Sequence, residues 1–387
     1  MIRALVFFSV FALVIVYLRQ RLIVNTGLTG GKRIGGYVLL GLLAAPLIVV
    51  NLMKLGAPPT LAGVLAWPTY IGQALLMLMF AALLVSDVGR FVVWVGRRAT
   101  KQAPMDPSRR QALARITGGV VTTAVVAHVG YGVTRALGDA EVVDVPITLS
   151  KLPKALDGFT IVQLTDVHVG GTIGKPFIDE LVERAMALKP DMFALTGDFI
   201  DGSVADLSPH MEAFKTLAAP HGVYFTTGNH EYYAGVDPWI AWWRSIGVRV
   251  LRNERVSIEK NGGAFDLAGV DDHGAYKYSG HGMDLPTALA DRDESRALVL
   301  MAHQPRQVHI AARHGVDLQI SGHTHGGQVW PWHYIVAFQQ GGLVAGRYRI
   351  GDTQLYVSRG VGYWGPPVRV GAPPEITRYI LRSASDA

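Results

Sequence analysis

Phe159-Thr160-Ile161-Val162-Gln163-Leu164-Thr165-Asp166-Val167-His168 opens the part of the chain whose reading decides its fold. An apolar, β-forming run ends in a turn that delivers a carboxylate and an imidazole two positions apart. The same event recurs downstream. The run 192–196 leads into Gly197-Asp198, and 223–227 into Gly228-Asn229-His230-Glu231. The run 297–302 leads into His303, and 317–321 into Gly322-His323-Thr324-His325-Gly326-Gly327. Residues 264–270 and 354–358 read as strands too, while 176–188, 208–217, 238–246 and 305–314 have helical periodicity. Strand–helix alternation predicts an α/β layered domain, and the β-rich later half predicts a second sheet packed on the first.

Five strand ends thus carry eight polar groups: Asp166, His168, Asp198, Asn229, His230, His303, His323 and His325. Ligands of open α/β sheets bind along that edge. Alternation along an extended segment would put both ligating atoms of Asp-x-His, and both of His-x-His, on one side. The adjoining glycines let the backbone turn sharply beside an ion or phosphate. The chain has no cysteine, which excludes thiolate zinc sites, iron–sulfur clusters and a cysteine nucleophile. Imidazole, carboxylate and amide oxygen suit divalent Mn, Fe, Zn, Co or Ni. Seven such donors exceed one mononuclear site and fit two ions bridged by a carboxylate and a hydroxide, a pair that clamps a phosphoryl group. No Walker-type glycine loop is present, and Ile320-Ser321-Gly322 has the wrong spacing for a serine nucleophile elbow.

Taken singly, each residue has an ordinary structural reading: Asp198 as a turn residue, Asn229 as a helix cap. Their coincidence at successive strand ends points to chemistry. His210, His221, His281, His309, His314 and His333 lack such placement and read as surface or packing residues; His273, which ends a strand after Asp272, reads first as packing and second as a substrate contact. Glu231 reads as orienting His230 or capping the next helix. In this order, D-x-H, G-D, G-N-H-E, a lone H and G-H-T-H, spanning Asp166 to Gln328, resemble the calcineurin-like metallophosphoesterase family. GNHEYYAG (228–235) and SGHTHGGQ (321–328) are similar to its bacterial membrane-associated phosphodiesterase branch. The resemblance implies a four-layer α/β/β/α sandwich over 145–387 and two divalent metal ions. It assigns one ion to Asp166, His168 and His325, the other to Asn229, His303 and His323, with Asp198 bridging. It implies that His230 contacts the phosphate as general acid, so that His230, Asn229 and Asp198 are the catalytic set.

Outward from this domain the chain changes character. Half of all residues are hydrophobic and only 17% charged, against about 25% in an ordinary soluble protein. Residues 1–144 hold 14 Lys/Arg against 5 Asp/Glu, while 145–387 hold 22 against 25. The basicity belongs to the hydrophobic part, so no nucleic-acid partner is expected. Apolar runs at 4–18, 34–53, 63–86 and 116–133 predict a transmembrane region of about four spans within 1–140, a span needing ~20 apolar residues. The first run is followed by Arg19-Gln20-Arg21 rather than a small-residue cleavage site, so it reads as an anchor rather than a signal peptide.

Arg19, Arg21, Lys32 and Arg33 follow the first run, and Arg90, Arg97, Arg98, Lys101, Arg109, Arg110 and Arg115 the third; only Lys54 lies between the second and third. Positive loops stay in the cytoplasm, which predicts a multi-pass protein of the inner (plasma) membrane with an extracytoplasmic catalytic domain. Ser108-Arg109-Arg110 before the fourth run resembles a twin-arginine export signal, and as a plain basic flank it gives the same side. The spans lack internal charges, so no transport path is expected.

Trp330, Trp332, Tyr334 and Phe338 directly follow the last metal motif, where they suit either a lipid–water interface or a clamp on the sheet edge. Trp239, Trp242 and Trp243 read as helix core. The expected activity is a membrane-anchored binuclear phosphoesterase that cleaves phosphodiester or pyrophosphate bonds through a metal-bridging hydroxide, on a lipid or cell-envelope substrate. A pyrophosphatase of UDP-diacylglucosamine-type lipid precursors is disfavoured by the outward orientation. A non-catalytic metal-binding membrane sensor is disfavoured by His230 beside all seven ligands.

Overall fold

The computed structural model describes residues 2–53 and 59–384. The chain divides into two units, Met1–Thr134 with Gly365–Val368 and Arg135–Trp364 with Arg369–Ala387. In the first unit every predicted apolar run lies in a helix: α1 (Ile2–Arg19), α2 (Gly30–Met53), α3 (Pro59–Ala99) and α4 (Pro107–Ala136). Among the described residues two stretches, Gly63–Ala99 and Pro107–Ala136, are long and apolar enough to cross a membrane. Val64 and Val85 are each 72% exposed, the reverse of a soluble helix, which buries its apolar stripe. Lys54 lies outside the described residues. Asp87, one residue past the third predicted span, accepts from Tyr17 Oη (2.7 Å) and pairs with Arg21 (3.0 Å), so its charge is matched.

Among the described residues the second unit holds twelve strands in two sheets. They are β1 (Glu141–Leu149), β2 (Thr160–Leu164), β3 (Met192–Thr196), β4 (Val223–Thr226), β5 (Arg249–Val250) and β6 (Glu254–Lys260). The remainder are β7 (Gly263–Gly269), β8 (Leu298–Met301), β9 (Leu318–Ser321), β10 (Gly346–Ile350), β11 (Thr353–Val357) and β12 (Glu375–Ser383). One sheet runs β1-β12-β2-β3-β4-β5 and the other β10-β11-β9-β8-β7-β6. β2 to β5 are mutually parallel, as are β7, β8, β9 and β11.

All five residues of β3 are buried, as expected of a parallel strand covered on both faces. Successive side chains go to opposite faces. Ile161, Met192, Ala194 and Tyr379 point between the sheets against Phe265, Leu267, Val299, Met301 and Ile320. Val162, Phe193 and Phe225 face outward onto Ile178 and Leu181 of the Lys175–Ala187 helix and Trp239 and Trp243 of the Val236–Ser245 helix. Behind the second sheet, Ala268, Leu298 and Leu300 pack on Leu285, Ala288 and Ala311.

One predicted helix is corrected. Residues 208–217 form a chain of short turns, Ser208–His210 and Glu212–Thr216, preceded by Val204–Leu207. Met211, at φ −104° and ψ 9°, leaves the helical path between the two turns. Residues 305–314 are helical as expected, in the tight turns Pro305–Gln307 and Ala312–His314 around Val308–Ala311, and Gly315 ends them in the left-handed region at φ +66°.

Candidate metal centre

The loops leaving β2, β3, β4, β8 and β9 converge on one buried cluster. Three triads have potential ligand atoms within 4.8 Å of one another: Asp166–His168–His325, His168–Asp198–His230, and Asp198–His303–His323. All eight strand-end residues lie in or against this cluster except Asn229, whose role rests on its neighbours: it sits beside His230 and its buried Oδ1 has no hydrogen-bond partner. His273 and the six other histidines read as packing residues are in none of the triads.

The backbone route differs from the predicted one. Asp166, His168, Asp198, His323 and His325 all have φ between +51° and +73°, a region costly for non-glycine residues at roughly 1–3 kcal/mol each. The loops are turns rather than extended strand, so the alternation rule fails at His323-Thr324-His325. Its two imidazoles diverge, His325 joining Asp166 and His168 while His323 joins Asp198 and His303.

Backbone amides hold the carboxylates in place. His323 N donates to Asp166 Oδ1 (2.8 Å) and Oδ2 (3.0 Å), and His230 N donates to Asp198 Oδ1 (2.9 Å). Glycine permits this closeness: a Cβ on Gly322 would collide with Asp166 Oδ2, and one on Gly228 with Asp198 Oδ1. The imidazoles are oriented from behind. His303 Nδ1 donates to Thr196 O (2.9 Å), and His168 Nδ1 lies 3.2 Å from Asp201 Oδ1. Hydrogen bonds of this kind leave the opposite nitrogen free as a ligand.

Electrostatics fit a site short of positive charge. Burial pushes Asp166 up. Burial also works to raise Asp198, but His303 and His230 beside it hold it well below the carboxylate range. Burial and the charge of His303 push His323 down to about 3, and burial with Arg369 holds His325 well below its usual value. Neutral imidazole, the form that binds metal, is thereby favoured at His323 and His325, whereas at His303 burial is outweighed by Asp198, which pushes it well above its usual value. The buried atoms Asn229 Oδ1, His303 Nε2 and His323 Nδ1 have no hydrogen-bond partner, although His303 Nε2 stands 2.9 Å from Asp198 Oδ2. Buried polar atoms are seldom left unpaired, and three together among imidazole and amide donors fit a divalent cation.

Three residues that the motifs did not single out complete the site. Asp201 lies on the same turn as Asp198 and holds His230 Nδ1 at 2.5 Å as well as His168. A second acid three positions after Asp198 was the available signal. Arg369, 1% exposed, donates to the carbonyls of His325 (2.8 Å) and Arg359 (2.9 Å) and lies 3.1 Å from His325 Nδ1. It stands 44 residues from His325, and no local pattern announces it. Asp272, buried and thereby pushed up to about 6, accepts both of its Gln304 hydrogen bonds at 3.0 Å next to His303 in sequence.

Glu231 is a clamp, not a ligand. Its carboxylate accepts from Gly228 N (2.7 Å), Phe199 N (2.8 Å) and Asp198 N (3.0 Å), tying the β3 and β4 loops together. Glu231→Ala is expected to destabilise the protein by at least about 3 kcal/mol, since each buried donor left unpaired costs ~1–3 kcal/mol. Denaturant unfolding of the full chain in detergent measures this; an unchanged midpoint would remove the clamp.

Comparison with known proteins agrees with the geometry. The family model described as calcineurin-like phosphoesterase matches residues 159–327. An uncharacterized metallophosphoesterase of Helicobacter pylori (strain J99 / ATCC 700824) is 35% identical over 282 residues, 73% of this chain and 74% of that protein. A Bos taurus protein named transmembrane protein with metallophosphoesterase domain is 34% identical over 330 residues, 82% of this chain and 73% of its own length. An uncharacterized metallophosphoesterase of Bacillus subtilis (strain 168) is 32% identical over 291 residues, 72% of this chain and 99% of that one. With buried carboxylate–imidazole triads at its strand ends and relatives of this kind over most of its length, the chain belongs to the calcineurin-like phosphoesterase family and is a phosphoester hydrolase.

Proposed function

We propose that the protein is a membrane-anchored phosphoesterase that works with two divalent ions. Asp166, His168 and His325 would hold one, Asn229, His303 and His323 the other, and Asp198 would serve both. The observation that carries this reading is that Asp198 completes the triad with His303 and His323 and stands 3.9 Å from His168 of the Asp166–His168–His325 triad, while buried Asn229, His303 and His323 keep unpaired polar atoms. When bound, such ions neutralise phosphoryl oxygens and acidify water.

The chain's own residues do the rest. Asp198 is positioned by the His230 amide. The His230 imidazole is set by Asp201 to deliver a proton to the leaving oxygen. Asn229 would offer its Nδ2 amide as a donor to the phosphate, leaving Oδ1 for the ion.

The substrate in this reading is a phosphodiester or pyrophosphate of a lipid or the cell envelope. Support comes from the apolar helices and from the exposed aromatic residues beside the site. The placement of the spans near 4–18, 34–53, 63–86 and 116–133, and of residues 145–387 outside the inner membrane, rests on the distribution of Lys and Arg.

The test is a manganese-loaded assay of the full chain in detergent. Hydrolysis of bis-p-nitrophenyl phosphate is expected, along with two metal equivalents per chain. Chelation should abolish both, and manganese should restore them. Metal at a hundred times its Kd should also raise stability by about 2.7 kcal/mol for each bound ion, read as a higher Tm. Hydrolysis that survives complete metal removal would sink the two-ion reading, and two bound metals without hydrolysis would favour a sensor.

A further inference from the structure

The helix His333–Gln339 follows the turn that carries His325 and packs on it, for a Cβ on Gly327 would collide with His333. Helices of a globular domain turn their apolar stripe inward. This one is inverted. Pro331, Tyr334, Ile335 and Phe338, spaced as i, i+3, i+4 and i+7, face outward, with Tyr334 65% and Phe338 90% exposed. His333, Val336 and Ala337 are half-buried on the inner side, and no residue of the helix is fully buried.

Trp330 and Trp332 extend the exposed patch. A cation stands at its edge, where Arg306 reaches the carbonyl of Gln339 (3.4 Å). Tryptophan and tyrosine around an apolar centre, with an arginine at the edge, match the chemistry of an anionic lipid headgroup layer. The same chain carries helices able to cross a membrane, and only residues 137–140 separate α4 from β1.

We propose that the outward stripe of this helix lies in the headgroup layer of the bilayer that holds the chain's own spans, with Arg306 meeting anionic phospholipid. The inference rests on the membrane-anchored part of the proposed function and not on its catalytic part. The chain has no cysteine, so a nitroxide on Phe338→Cys or Ile335→Cys is unique. The full-length protein is reconstituted in vesicles of phosphatidylcholine and phosphatidylglycerol, with Glu212→Cys as an exposed reference on another surface turn. Labels at Phe338 and Ile335 are expected to gain collisions with oxygen and to lose them with a water-soluble nickel chelate, while the reference stays open to nickel.

Nickel accessibility at both positions equal to that at Glu212 overturns the proposal. Dipolar coupling between labels also overturns it, because a second copy of the chain would then cover the patch. Hydrolysis of bis-p-nitrophenyl phosphate by the same vesicles separates the two readings. Aqueous labels with hydrolysis intact remove only the membrane contact, whereas shielded labels without hydrolysis leave the contact standing and count against the catalytic reading.

Discussion

Asp198→Asn is expected to lose bound metal and about a thousandfold in turnover. The residue is shared by two of the three triads, and its Oδ2 stands 2.9 Å from His303 Nε2 and 3.9 Å from His168 Nε2. Asparagine keeps the shape but removes the charge, and it can turn an amide donor toward groups that need an acceptor. A bound ion contributes several kcal/mol to stabilising transition-state charge, and each ~1.4 kcal/mol is a factor of ten in rate. Metal analysis after dialysis, with turnover on bis-p-nitrophenyl phosphate, measures both effects. A variant that retains two metals and full turnover would show that Asp198 does not join the triads functionally.

His230→Ala is expected to separate metal binding from catalysis. The side chain belongs to one triad, but its Nδ1 is taken by Asp201 at 2.5 Å, and Nε2 stands 4.0 Å from Asp198. Burial works against its charge, yet Asp198 and the hydrogen bond to Asp201 push it up to about 9, so the imidazole carries a proton to give. General acids contribute about 10²–10⁴ in rate, most where the leaving group is a poor one. The variant should keep its metal and lose about that factor on an alkyl phosphodiester. It should lose much less on bis-p-nitrophenyl phosphate, whose leaving nitrophenolate needs little protonation. Equal losses on the two substrates would refute the acid role. Asp201→Asn should shift the same contrast in the same direction, by less.

The strands that bear the site were legible because each is a mostly apolar run ending in glycine or a polar group. β2, β3, β4, β7, β8, β9 and β11 fall within a residue or two of their predicted bounds. β1, β5, β6, β10 and β12 escaped notice. β1 and β12 are long strands with charged residues interleaved, Asp144 pairing with Arg378 at 2.7 Å, and their identity as strands depends on pairing across 234 positions. The helical reading of 208–217 failed because hydrophobic spacing does not reveal the break at Met211, whose φ of −104° and ψ of 9° leave the helical path. Trp239 and Trp243 are fully buried core residues, as their helical spacing indicates. The aromatic residues after Gln328 stayed ambiguous between clamp and interface, since exposure is a property of the packed domain.

The order of donors along the chain was enough to establish a phosphoesterase built around imidazole and carboxylate. Residue type fixes which atoms can bind a cation, and local hydrophobicity fixes which segments become buried strands delivering them to one edge. Which nitrogen faces which carboxylate was a matter for the tertiary structure alone. The left-handed turns at His323 and His325 send neighbouring rings to different triads. Asp201 and Arg369 act as supports only because the fold carries distant loops to within 3.2 Å of the histidines. Such contacts depend on where the two sheets meet, a distance that no local run of residues encodes.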